Sequence, residues 1–233
     1  MQITAVFHRK GLRLATGVLL AMLLLAAGFF WYVSDYYRAE DAALDVLASG
    51  ENIEVRGSLT ILSPSYPTDT AIIFYPGAKV EGAAYLPLLD QLRRTGLTCI
   101  LVEMPFRMAI FDVNAAEDVM AQFPEIRHWY LAGHSMGGAM ASQFAAGHRD
   151  QVDGLILVGS IFNTICQGAE MENLLRKMPV VLANGTLALP DAYSVMVDDC
   201  RGVEMAVEHL VKTGRRNLYY IKDKSTDSAA AKT

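Results

Sequence analysis

The sequence predicts an α/β fold in which a parallel sheet carries helices on both faces and one apolar helix comes first. Three observations predict it. Apolar runs of strand length recur at Thr70–Tyr75 and at residues 97–102, 128–132 and 152–159. Stretches of helical periodicity separate them, and strands alternating with helices in this way specify a sheet covered on both faces. Near the start, residues 14–34 carry no charge and are dominated by Leu, Ala, Val and Phe.

That first run spans roughly 30 Å as a helix, the thickness of a bilayer's hydrocarbon core. Phe29, Phe30, Trp31, Tyr32, Tyr36 and Tyr37 form an aromatic belt at its far end. His8, Arg9, Lys10 and Arg13 precede it, whereas Asp35, Arg38, Glu40 and Asp41 follow. Positive residues stay in the cytoplasm, so the expectation is a single-pass membrane protein with a cytoplasmic N-terminus and the rest outside. A cleaved signal peptide is the competing reading, but its apolar region is normally about 7–15 residues long. Residues 1–38 are accordingly read as stub and anchor.

Residues 39–49 read as a short amphipathic helix leaving the membrane, and residues 55–62 as one or two antiparallel strands. Pro64 and Pro67 mark a turn before the Thr70–Tyr75 strand. Residues 83–95 place Tyr85, Leu88, Leu89 and Leu92 at helical spacing, and Gly96 ends them. After the strand at 97–102 comes a helix at 115–123, stopped by Pro124.

The stretch that organises the chain is HWYLAGHSMGGAMASQFAAG, residues 128–147. It reads as a strand, a turn Gly133-His134-Ser135-Met136-Gly137, and a small-residue helix over 138–146. A serine nucleophile needs a sharp turn that lifts its Oγ above the sheet, and glycines on either side let the two backbones approach. The Met136 N–H begins the helix and points where an oxyanion would form, a spot made more positive by the helix dipole. The loop after the Thr70–Tyr75 strand, Pro76-Gly77-Ala78-Lys79, is expected to add a second backbone donor. Ala78 is the first choice for that role, and Lys79 is the neighbouring one.

From about residue 31 to 165 the chain resembles a membrane-anchored branch of the α/β-hydrolase family. The resemblance rests on YVSDYY, FYPGAKVEGAAY, LVEMPF, FPEIRHWYLAGHSMGGAMA and VDGLILVGS. It implies a serine hydrolase acting on an ester, thioester or similar acyl bond, with a small-molecule acyl substrate. A complete member continues with two more strands, followed by an acid and then a histidine, in the order Ser, Asp/Glu, His. Downstream of His148 the sequence offers His209, beside the apolar stripe of a helix over 202–213, where it reads as a surface histidine. Asp191, Asp198 and Asp199 follow Ser135 and qualify as acids only by order. General base and acid therefore stay unassigned.

Residues 178–232 resemble a fragment of the effector-binding domain of LacI/GalR-family regulators, through PVVLANG, VDDCRG, EHLVKTG and RRNLYYI. In that family the Asp matching Asp199 lies near the effector cleft. Strands are expected at Val180–Ala183 and at 218–221, with the helix between them making a βαβ-like unit in place of the missing hydrolase strands. The expected organisation is then anchor (1–38), incomplete hydrolase core (39–166) and LacI/GalR-like fragment (167–233). A sugar-like ligand-binding fragment, or a chimeric chain without intact function, is the alternative to the hydrolase.

A net charge of −5 argues against a nucleic-acid partner. Cys99, Cys166 and Cys200 are too far apart for a zinc spacing or a disulfide framework. Neither a cofactor nor a metal is expected.

Overall fold

The structure is a computed structural model and describes residues 2–49, 51–159, 178–183, 192–195, 205 and 212. It opens on helix α1 (Gln2–Ser34). Within α1, Ala15–Ser34 is long and apolar enough to cross a membrane, and only 6% of its most apolar window is buried. Helix α2 (Asp41–Ser49) follows and buries Ala43.

The reading of residues 55–62 as one or two strands resolves into a hairpin. Strands β1 (Ile53–Arg56) and β2 (Leu59–Leu62) pair antiparallel around Gly57, whose φ of 61° suits a two-residue hairpin turn. Next come β3 (Thr70–Tyr75), α3 (Leu86–Arg94), β4 (Thr98–Val102), α4 (Ala115–Gln122), β5 (His128–His134), α5 (Met136–Gly147) and β6 (Gly154–Val158). Each lies within two residues of its expected bounds at either end, except α3, whose expected first turn is a separate 3-10 turn, Gly82–Tyr85. Pro87 in the first turn of α3 explains the break, because proline is best tolerated at the start of a helix.

Beyond β6 the sheet continues with β7 (Val180–Ala183) and β8 (Ala192–Val195), both parallel. β7 falls where the sequence places a strand. β8 was not expected, because Pro190 and Asp191 make its surroundings read as loop. Its Tyr193 and Val195 are exposed, so burial leaves little apolar pattern to read. The expected strand at 218–221 and helix over 202–213 lie outside the described residues, apart from the helical positions Met205 and Lys212.

The strand order is β1-β2-β4-β3-β5-β6-β7-β8. Successive residues of β3 face opposite layers: Ala71, Ile73 and Tyr75 meet α4 and α5, whereas Ile72 and Phe74 meet α3 and the inner side of α2. Burial of each of Ile72, Ile73 and Phe74 contributes about 1.5–3 kcal/mol. α5 is built almost wholly of small residues, and Gly137, Gly138, Ala139, Ala141 and Ala145 are buried against the sheet. Order reverses at β3, with β4 on one side and β5 on the other, so the loops leaving β3 and β5 diverge over a crevice at the strands' C-terminal ends. In parallel sheets that crevice is where ligands bind.

Candidate active site

Ser135 sits in the single step between β5 and α5, with φ 51° and ψ −118°. Residues with a Cβ rarely adopt positive φ, and such strain costs on the order of 1–3 kcal/mol. Neighbouring bonds hold it in place: the Ser135 N–H donates to Val158 O at 3.0 Å, and the Ala139 N–H donates to Ser135 O at 3.2 Å. Ser135 is half-buried rather than sealed in the core.

Both flanking glycines are sterically required. A Cβ on Gly133 would lie 2.5 Å from the backbone of Gly137 and Gly138. A Cβ on Gly137 would run into the carbonyl oxygens of Tyr75 and Pro76. The second contact also ties the elbow to the loop after β3, since β3 and β5 are neighbours with Tyr75 opposite Gly133.

That loop is fixed on both sides of Ala78. The Gly77 N–H donates to the Tyr85 hydroxyl at 3.1 Å, and the Lys79 N–H donates to Arg107 O at 2.9 Å. The Lys79 amide, the neighbouring choice for an oxyanion donor, is thus committed elsewhere. Among the described residues nothing accepts from the Ala78 N–H. Met136 heads α5, so its N–H has no acceptor within the helix.

No sequence pattern points to the contact between Tyr85 and His134. The hydroxyl of Tyr85 lies 2.8 Å from His134 Nδ1 while its ring packs on Phe74. His134 therefore turns away from Ser135 toward the β3 loop, as its place one residue before the serine requires. Burial holds the His134 pKa below its ordinary 6.5 and pushes the Tyr85 hydroxyl up. Folded His134 thus stays neutral at pH values where the unfolded chain binds a proton. Its contribution to stability is complete above 6.5 and is lost as pH falls from there toward the folded value. Urea midpoints at pH 7.5 and 5.5 check this: the acid-side drop is expected to shrink in His134→Gln.

The other described histidines are remote. His148 Nδ1 lies 3.0 Å from Phe144 O at the end of α5, and His128 faces Asp153 at the opposite end of β5. His209, Asp191, Asp198 and Asp199 lie outside the described residues, as do Cys166 and Cys200. Cys99 is buried in β4 and its thiol is pushed up to about 12 by that burial, so it is an inert core residue.

Residues 71–186 match the model of the alpha/beta hydrolase family, and the fold is the α/β-hydrolase fold. The match runs from β3 through β7 and so includes the first strand after residue 166. Among solved structures the chain is similar to Est1E from Butyrivibrio proteoclasticus, at 14% identity and a TM-score of 0.46 over 69% of this chain and 96% of that one. It is also similar to a monoacylglycerol lipase of Paleococcus ferrophilus, at 11% identity and a TM-score of 0.46 over 69% of this chain and 98% of that one. A third is an alpha/beta superfamily hydrolase from Oenococcus oeni PSU-1, at 12% identity and a TM-score of 0.46 over 69% of this chain and 98% of that one. No curated protein matches the sequence.

Proposed function

We propose that the chain is a serine hydrolase of an ester or related acyl bond, with Ser135 as nucleophile. What carries this reading is the strained Ser135 between two glycines that tolerate no side chain, at the head of a helix and over the crevice of a parallel sheet. Ser135 Oγ attacks the acyl carbon and loses its proton to a base. The N–H groups of Met136 and Ala78 hold the resulting oxyanion. The alcohol or thiol leaves with that proton, and water then releases the acid from the acyl-serine. The substrate is a small acyl compound, and the steps call for no cofactor.

By the order Ser, acid, His, a base and its acid would follow β6, and neither residue is assigned. A serine without a base is a weak nucleophile. Were no base to reach Ser135, the site would keep oxyanion-hole catalysis alone, with turnover about 10³–10⁶ below that of an intact triad. Labelling with a fluorophosphonate probe, located by mass spectrometry, tests the reading. The adduct is expected on Ser135, and equal labelling of Ser135→Ala would remove the claim.

The same reading puts α1 across a bilayer, N-terminus in the cytoplasm and the hydrolase domain outside. Its support is the exposure of the apolar stretch Ala15–Ser34, which a core helix would bury, and the charge asymmetry on either side of it. Alkaline carbonate extraction of expressing cells is expected to leave the full-length chain in the membrane pellet. A soluble product shortened by about the length of α1 would show cleavage instead.

A further inference from the structure

We infer that residues 35–39, the segment leaving α1, form a strap that holds the oxyanion loop in place, with Tyr36 and Tyr37 as positioning residues. The role in catalysis rests on the serine-hydrolase reading above; the strap itself does not.

The bonds are direct. The Tyr37 N–H donates to Lys79 O at 2.8 Å, and the Glu81 N–H donates to Tyr37 O at 2.9 Å. Tyr37 and Val80 form an isolated parallel bridge, so the segment runs beside the loop as a one-residue strand. The Ala39 N–H adds a bond to Glu81 Oε2 at 2.9 Å.

The side chains reinforce this contact near three backbone positions that need support. Lys79 has φ 58°, and Phe106 and Arg107 have φ 53° and 57° in succession, conformations that residues with a Cβ seldom hold unaided. Lys79 and Arg107 are joined by their own backbone bond, and each presents its cation to an aromatic ring of the N-terminal segment. Lys79 Nζ lies 4.3 Å from the Tyr32 ring centroid and 3.5 Å from an Asp35 carboxylate oxygen. The Arg107 guanidinium carbon lies 3.5 Å from the Tyr36 ring centroid. Arg107 Nε is buried and has no hydrogen-bond partner among the described residues, and the face of Tyr36 compensates its charge together with the Glu103 carboxylate.

Ala78 lies between these anchors. Gly77 is pinned by Tyr85 on one side, and Lys79 by the strap and Arg107 on the other. An oxyanion donor works only if it is aimed before charge develops, so loosening Lys79 lets the Ala78 N–H drift from its target. Residues near the membrane-facing helix thereby set the geometry of the chemical step without touching substrate.

Two variants of the full-length chain in detergent test this. Tyr37→Pro removes the donor to Lys79 O, and Tyr36→Ala removes the ring over Arg107, which Tyr36→Phe keeps. Hydrogen exchange over residues 77–81 is expected to speed up at least about tenfold in Tyr37→Pro and Tyr36→Ala, with β3 and β5 unchanged as the check on folding. Saturating fluorophosphonate labelling is expected to slow about tenfold in both, with probe affinity within about twofold and Tyr36→Phe near wild type. Unchanged exchange over 77–81 overturns the strap. Faster exchange with an undiminished labelling rate overturns its positioning role. A wild type that never labels, with loop exchange still dependent on Tyr36 and Tyr37, sinks the hydrolase reading and leaves the strap standing.

Discussion

Ser135→Ala is expected to lower kcat/KM for an activated short-chain ester by at least about 10³, with the fold intact. The size of the effect comes from what the substitution removes and what it leaves. On the proposed mechanism it removes the nucleophile that forms the acyl-enzyme, yet the two backbone amides stay and can still bind a developing oxyanion. Removing a single oxyanion donor costs roughly 10²–10³ in such sites, so loss of the nucleophile should cost more. The fold should survive because alanine accepts the same backbone strain no worse than serine does. Thermal unfolding should therefore stay within a few degrees of wild type, and steady-state kinetics should show the loss in kcat. Hydrolysis equal to wild type would mean that Ser135 is an ordinary turn residue.

Gly137→Ala is expected to be the more damaging change for the protein as a whole, although it adds one methyl group. The new carbon would meet the carbonyl oxygens of Tyr75 and Pro76, which are backbone atoms and cannot swing aside. Overpacking of this kind typically costs about 1–3 kcal/mol, and more where, as here, the obstructing atoms are backbone. Relief would require α5 to lift from β3, and that motion carries the Ser135 turn and the Met136 N–H out of register. Loss of stability and loss of labelling are thus expected together. Gly147→Ala, at the other end of the same helix, is the control. Nothing lies within 4 Å of a Cβ there, so its effect should stay within about 1 kcal/mol. Denaturant midpoints of the two variants give the comparison; a Gly137→Ala protein as stable as Gly147→Ala would contradict the close contact.

The central strands and the elbow were legible because buried parallel strands leave uninterrupted apolar runs. Thr70–Tyr75 is the clearest case, with five of its six residues buried. The two glycines of the elbow were legible for a different reason: their spacing records a backbone approach that no other residue permits. Strand β8 was not legible, since it is a four-residue strand at the end of the described sheet whose Tyr193 and Val195 are exposed, so burial imposes little on its sequence. The Tyr85–His134 contact and the Tyr36–Arg107 stack were hidden as well. Each pairs residues far apart in sequence and is made by tertiary packing, whereas local periodicity reports only on a residue's own element. Arg107 in particular reads as an ordinary surface cation until its left-handed backbone and the ring beneath it are seen together.

At the outer end of α1, the ring of Phe29 meets Phe106 at 5.2 Å and Phe111 at 6.0 Å, both from the turns that follow β4. Phe106, Ile110 and Phe111 are themselves exposed. A bilayer that took Ala15–Ser34 as its span would hold Phe29 below its surface, and the turns after β4, beside the candidate crevice, would rest against the lipid. On the proposed serine-hydrolase reading, an apolar acyl donor would then reach Ser135 by sideways diffusion from the leaflet, and its local concentration would be set by partitioning into lipid rather than by solubility in water.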